Sequence, residues 1–109
     1  MATTPFADLG ITIDEDGPVY SIALYGELDV ANADHAEAAL RRAEASQADT
    51  ILVDLSGLEF IDSTGLRVMT RAAERCEAAG RPLGYLRAPD SVHRTFELTG
   101  LAEHLPFLD

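Results

Sequence analysis

The run Thr50-Ile51-Leu52-Val53-Asp54-Leu55 constrains the fold more than any other stretch of the chain. It is short, almost wholly apolar and rich in β-branched residues, which is the pattern of a central strand covered on both faces. Ser56-Gly57 is expected to end it. The period then changes: Leu66, Met69, Ala73 and Cys76 fall on one helical face, and Gly80-Arg81-Pro82 supplies a glycine and proline stop. A helix is predicted over about Ser63 to Ala79.

The flanking segments repeat this alternation. Gly10 to Asp14 alternates apolar and polar side chains, and Glu15-Asp16-Gly17-Pro18 is a turn signal before a second run, Val19 to Tyr25, so the chain opens with a β-hairpin. Ala33, Ala36, Leu40 and Ala43 recur at helical spacing, with Glu37, Arg41, Arg42 and Glu44 mostly elsewhere around the turn. A first helix is predicted over about Ala31 to Ser46. Leu83 to Leu86 reads as a strand, and Pro89-Asp90-Ser91 opens a short helix that carries Val92 and Phe96 inward before Gly100 stops it. Leu101 to Leu108 holds a last short strand or a helical turn. The expectation is one α/β domain over residues 1–109, with about 1–8 as a flexible N-terminus. Its sheet is mainly parallel, with right-handed crossover helices and an antiparallel N-terminal edge strand. No internal repeat, linker or low-complexity segment interrupts it.

Composition narrows the function. A chain of 109 residues has room for one core, which buries roughly two-thirds of the unfolded surface. Its 47% hydrophobic and 25% charged residues are ordinary for a soluble globular protein. Against 19 Asp and Glu stand 8 Lys and Arg, a formal charge of -11 that repels nucleic acid and anionic membranes and suits a protein partner with basic contacts. The single cysteine, Cys76, cannot close an intramolecular disulfide, and Met1-Ala2-Thr3-Thr4-Pro5 has neither the basic start nor the apolar stretch of a secretory signal. The expected compartment is the cytoplasm. No apolar run approaches the roughly 20 residues of a membrane span.

The chemistry concentrates where the central strand meets the helix beginning near Ser63. Asp62 or Ser63 can cap that helix, because a short side-chain oxygen accepts one of the unpartnered first-turn N–H groups. Spacing alone favours this plain structural cap. The functional reading displays the Ser63 hydroxyl at a helix N-terminus, where free N–H groups and the macrodipole stabilise an attached phosphate. Gly65 in the first turn costs about 1 kcal/mol relative to alanine, and its missing side chain lets another backbone approach.

Asp62-Ser63-Thr64-Gly65-Leu66, with the apolar strand before it, resembles the phosphorylation-site signature of STAS-domain anti-sigma factor antagonists. Gly26-Glu27-Leu28-Asp29 is similar to the family's turn after the second strand, and Phe96-Glu97-Leu98-Thr99-Gly100-Leu101 to its C-terminal helix ending. The resemblance implies a STAS fold and a non-enzymatic, cytoplasmic bacterial regulator of the stress-response type. Such a protein binds an anti-sigma factor, often a serine kinase, and so releases a sigma factor for transcription. Phosphorylation of Ser63, with Thr64 the second candidate, would break the complex, and a phosphatase would reverse the mark. The partner-binding residues implied are Asp29, Asp62, Ser63, Thr64, Gly65 and Arg67. Some relatives carry a small residue in place of Arg67, so partner choice is expected to differ. The same reading implies no cofactor, no nucleic acid, no membrane insertion and a monomer when free.

Other candidates are weaker. His35, His93 and His104 lack the paired spacing of metal ligands, so surface or edge roles and no metal are expected. Cys76 lies on the apolar stripe of its helix and reads as a small hydrophobe. Ser63 lacks a Gly-x-Ser-x-Gly elbow and a histidine placed as its base, and no phosphate-binding Gly-x-x-x-x-Gly-Lys loop is present. Two rivals remain open. One is a STAS subunit of a membrane-associated lipid transporter or of a stress-signalling scaffold, although scaffolds usually carry sensory domains for which this chain leaves no room. The other is a small-anion or nucleotide-binding enzyme domain, which lacks a catalytic base.

Overall fold

The computed structural model describes residues 2–6 and 8–108, with side chains from residue 8 onward. The elements are β1 (Ala2–Phe6), β2 (Leu9–Asp16), β3 (Val19–Leu28), α1 (Ala33–Ala45), β4 (Thr50–Ile61), α2 (Ser63–Ala79), β5 (Leu83–Leu86), α3 (Asp90–Leu98), a 3-10 turn (Leu101–Glu103) and β6 (Phe107–Leu108). They form one sheet in the order β1-β2-β3-β4-β5-β6. The first two pairings are antiparallel and the following three parallel. The sheet is thus mainly parallel with an antiparallel N-terminal edge, as the sequence implied. Of the segment 1–8, Met1 and Ala7 lie outside the described residues, and the backbone of Ala2–Phe6 pairs with β2.

Because β3 to β6 lie in chain order, right-handed crossovers put all three helices on one face of the sheet. The side chains agree. Tyr85 of β5 donates its hydroxyl to the Met69 carbonyl of α2 at 2.7 Å, and its register neighbour Phe107 packs edge-on against His93 and Phe96 of α3. Ile51, Val53 and Leu55 are therefore buried beneath helices, whereas Leu52 and Asp54 on the opposite face are only half-buried. The expectation that this strand is covered on both faces is corrected accordingly.

A second correction concerns its length. Ser56-Gly57 does not end β4, which pairs with β3 as far as Ile61 after register shifts between Ala23 and Tyr25 and between Gly26 and Glu27. The shifts change the spacing of inward residues from two to three, so Leu58 and Ile61 return to the core. Extending β3 and β4 together carries their carboxyl ends, and the loops that follow, to one end of the molecule.

The predicted limits of α2 and β5 agree with those observed. Arginines tie α1 to α2. Arg75 grips Glu44 through two hydrogen bonds of 2.8 and 2.9 Å and also reaches Glu37 at 2.9 Å. Arg81 donates to the carbonyls of Ala43, Glu44 and Ser46 at the end of α1, where a cation complements the helix dipole. The 3-10 turn and β6 show that Leu101 to Leu108 contains both alternatives raised for it.

Cys76 is buried and free on α2, and burial, reinforced by Glu44, pushes its thiol pKa up. Among the described residues no helix is long and apolar enough to cross a membrane. His93 departs from its expected surface or edge role. It is buried, because it shares the inward face of α3 with Val92 and Phe96.

Candidate partner-binding site

The loops after β3 and β4 sit side by side because the two strands are parallel neighbours. Each leads into a helix, so two helix N-termini meet at the same end of the sheet. Asp62 is the N-cap of α2: its Oδ1 accepts the Gly65 N–H at 2.9 Å, and its Oδ2 accepts the Val30 N–H of the other loop at 3.0 Å. One carboxylate therefore caps a helix and clamps the neighbouring loop. The sequence left the cap open between Asp62 and Ser63, and the structure assigns it to Asp62.

That frees Ser63 to occupy the first helical position, where it is exposed. With the Gly65 N–H taken by Asp62 and the Leu66 N–H by the Asp62 carbonyl, the N–H groups of Ser63 and Thr64 are left without intrahelical partners. Thr64 is half-buried and Arg67, one turn on, is exposed. Gly65 is buried. A Cβ there would lie 2.7 Å from Ile61 Cγ1, 2.9 Å from Leu28 Cγ and 3.1 Å from the Leu28 carbonyl oxygen. The backbone that its missing side chain admits is the end of β3 in this same chain, so Gly65 shapes the site from beneath.

The loop after β3 is built by Asp29 and Asn32. Asp29 is half-buried, and its Oδ1 accepts the Ala31 N–H at 3.0 Å, a local turn made by a short acidic side chain. Asn32 is wholly buried. Its Oδ1 accepts the Asp29 N–H at 3.0 Å and its Nδ2 donates to the Glu27 carbonyl at 2.9 Å. Gly26 begins the turn with φ +91°, and a Cβ there would strike the Asp8 carbonyl, which accepts the Glu27 N–H at 3.0 Å. The Gly-Glu-Leu-Asp stretch thus has a backbone reason for its glycine.

Sequence reasoning missed three residues here. Asn32 is one; an amide just before the first apolar residue of a helix was its available signal. The others are Val30, 74% exposed, and Phe60, 48% exposed. Val30 is hydrogen-bonded to Asp62 through its backbone, and Phe60 pairs with Glu27 two residues before Asp62. Large apolar side chains left in water beside a polar centre are the anchors expected of a protein-binding surface.

His35, His93 and His104 are not brought together, and among the described residues no group of three or more His, Cys, Asp or Glu could hold a metal. The site presents the exposed Ser63 hydroxyl, the carboxylates of Asp29 and Asp62, and the exposed apolar side chains of Val30 and Phe60.

A family model described as Mlab, STAS domain, matches residues 11–108. The chain is 28% identical over 96 residues to the anti-sigma-B factor antagonist of Staphylococcus aureus (strain NCTC 8325 / PS 47), covering 88% of this chain and 89% of that relative. Its fold is similar to the crystal structure of an anti-sigma factor antagonist from Mycobacterium paratuberculosis, with a TM-score of 0.82 and 24% identity over 91% of this chain and 84% of that one. It is also similar to the anti-sigma factor antagonist SpoIIAA in its unphosphorylated form, with a TM-score of 0.75 and 23% identity over 91% of this chain and 86% of that one. The phosphorylated form of the Bacillus SpoIIAA gives a TM-score of 0.69 at 22% identity, over 91% and 89%. With the family model matched over nearly its whole length and the sheet order, capped α2 and paired loops in place, the chain belongs to the STAS-domain family.

Proposed function

We propose that this protein is an anti-sigma factor antagonist that binds its anti-sigma factor through the loops after β3 and β4 and is switched off by phosphorylation of Ser63. The observation that carries this reading is the exposed Ser63 hydroxyl at the start of α2, freed from capping by Asp62 and flanked by exposed Val30 and Phe60. The names of the relatives support the antagonist role, and the two described forms of SpoIIAA support a phosphorylation switch. Asp29, Asp62, Ser63, Thr64 and Arg67 would supply polar contacts around the apolar anchors. The role is regulatory, with a serine kinase adding the mark in the cytoplasm and a phosphatase removing it.

The physics of the switch is electrostatic. A phosphate adds about -1.5 to -2 charges at Ser63. Within the domain the free N–H groups and dipole of α2 offset it, so folding changes little. Across an interface, a partner carboxylate about 5 Å away would be repelled by roughly 3 kcal/mol per unit charge at an effective dielectric near 20. The phosphate must also shed water as the surfaces close. About hundredfold weaker binding is expected.

Capture with Ser63→Ala as bait, followed by titration of the recovered anti-sigma factor, tests both parts. Ser63→Ala should bind and resist phosphorylation, and Ser63→Asp should imitate the modified state imperfectly. Equal affinity of phosphorylated and unmodified protein would sink the switch, and phosphate on Thr64 would move it by one residue. Recovery of membrane transporter subunits in place of an anti-sigma factor would overturn the antagonist role.

A further inference from the structure

The distribution of positive charge points to a second recognition element. The chain contains no lysine, and all 8 basic residues are arginines set against a net charge of -11. Four of them, Arg41, Arg67, Arg71 and Arg75, line one cavity of about 250 Å3 between α1 and α2. Its lining reaches Thr64, next to the proposed switch residue.

Two of the four arginines are already committed. Glu37 holds Arg41 at 2.8 Å and Arg75 at 2.9 Å, and Glu44 holds Arg75 at 2.8 Å. Asp34 is the other acidic residue of the lining. Arg67 and Arg71 differ: both are exposed, and neither has an ion pair among the described residues. Spaced by four on α2, they project along the same face. The groove thus has walls fixed by ion pairs, apolar Ala33 and Val68 in its lining, and two free guanidinium groups.

We infer that this groove receives an acidic segment of the partner protein, with carboxylates seated on Arg67 and Arg71. The inference rests on the reading of the adjacent loops as a partner-binding surface. Charge complementarity selects the occupant. A planar guanidinium donates two parallel hydrogen bonds to a carboxylate. A short acidic segment brings only a few negative charges to the paired arginines, whereas a membrane surface or a nucleic acid sets an extended array of anions against a chain of net charge -11. The interface then has two poles, basic partner groups opposite Asp29 and Asp62 and acidic ones opposite Arg67 and Arg71, which fixes the orientation of the complex. Arg67 lies four residues after Ser63 on the same helix, so a phosphate on Ser63 would compete with the partner for that guanidinium.

The direct test titrates isotope-labelled protein at low salt with a short peptide alternating Glu and Ser, using the Gln/Ser peptide and ATP as controls and reading amide shifts by NMR. Shifts confined to Thr64, Arg67, Arg71 and the facing start of α1, seen with the Glu peptide only and lost in Arg67→Gln/Arg71→Gln, are expected. Absent or scattered shifts with the Glu peptide would overturn the inference, as would stronger localised shifts with ATP. Against an anti-sigma factor recovered by capture, the double variant should bind about tenfold more weakly and with a flatter salt dependence. Unchanged binding by the double variant would overturn the groove assignment and leave the antagonist reading standing. Failure of the wild type to capture any anti-sigma factor would overturn that reading, and the peptide titration would still decide whether the groove takes an acidic segment.

Discussion

Asn32 and His93 are the two buried polar side chains among the described residues, and the fold treats them in opposite ways. Asn32 lies under the candidate site with its amide oxygen and nitrogen both used, joining the end of β3 to the loop before α1. His93 lies toward the far edge of the sheet, where its Nδ1 has no hydrogen-bond partner among the described residues. Its ring is instead held by aromatic contact, 4.8 Å from Phe107 and 5.9 Å from Phe96 between centroids. A buried polar group stabilises only when it is satisfied, and an orphaned one carries its desolvation cost uncompensated. The contrast indicates that polar burial near the site serves to hold one loop conformation, while at the far edge shape and apolar contact dominate.

The largest effect expected from this contrast is at Asn32. Asn32→Ala leaves the Glu27 carbonyl and the Asp29 N–H without their partner and should cost about 2–3 kcal/mol. Thermal unfolding should show the midpoint falling by about 10–20 °C. A loss below about 1 kcal/mol would mean that water replaces the amide and that Asn32 does not hold the loop.

Asp62 comes next, since it performs the same stitching from the exposed side. Asp62→Ala removes the acceptor for Gly65 and Val30 and should cost about 1–2 kcal/mol in urea unfolding. Asp62→Asn should recover part of that, because the amide keeps one acceptor oxygen. Equal losses for the two variants would show that charge at the helix start, and not the clamp, carries the stabilisation.

His93→Leu should move stability the other way, by up to about 1 kcal/mol, because it removes an unpaired polar atom and keeps nearly the same volume. A clear loss would show that the ring contacts with Phe107 outweigh the orphaned nitrogen, and the contrast between the two buried residues would fail.

The smallest expected change in stability is at Asp29, whose single carboxylate bond closes a partly exposed turn. Asp29→Ala should cost about 0.5 kcal/mol while weakening partner binding about tenfold. A strong fall in melting temperature with unchanged affinity would identify Asp29 as a structural residue and remove it from the interface.

Much of the fold could be read along the chain. Helix α2 was legible to the residue because its apolar stripe is strongly periodic and Gly80-Arg81-Pro82 stops it. The end of β4 was not, since each register shift against β3 puts an extra residue in β4 and alters which of its residues face inward, and only the pairing reveals this. The one-sided cover of the sheet was equally hidden. Leu52 beside Ile51 and Val53 reads as buried on both faces, and the strand order alone puts every helix on one side.

The candidate site divides in the same way. Sequence by itself determined that a hydroxyl, an acid and a glycine stand together where a strand gives way to a helix, because helix starts and apolar periods are local properties of the chain. Tertiary structure decided what each of them does. Asp62 clamps Val30 across 32 positions in sequence, Gly65 makes room for Leu28, and Phe60 stays in water because no helix passes over it. Contacts of that kind depend on which strands become neighbours, and the pairing of β3 with β4 is a property of the whole sheet.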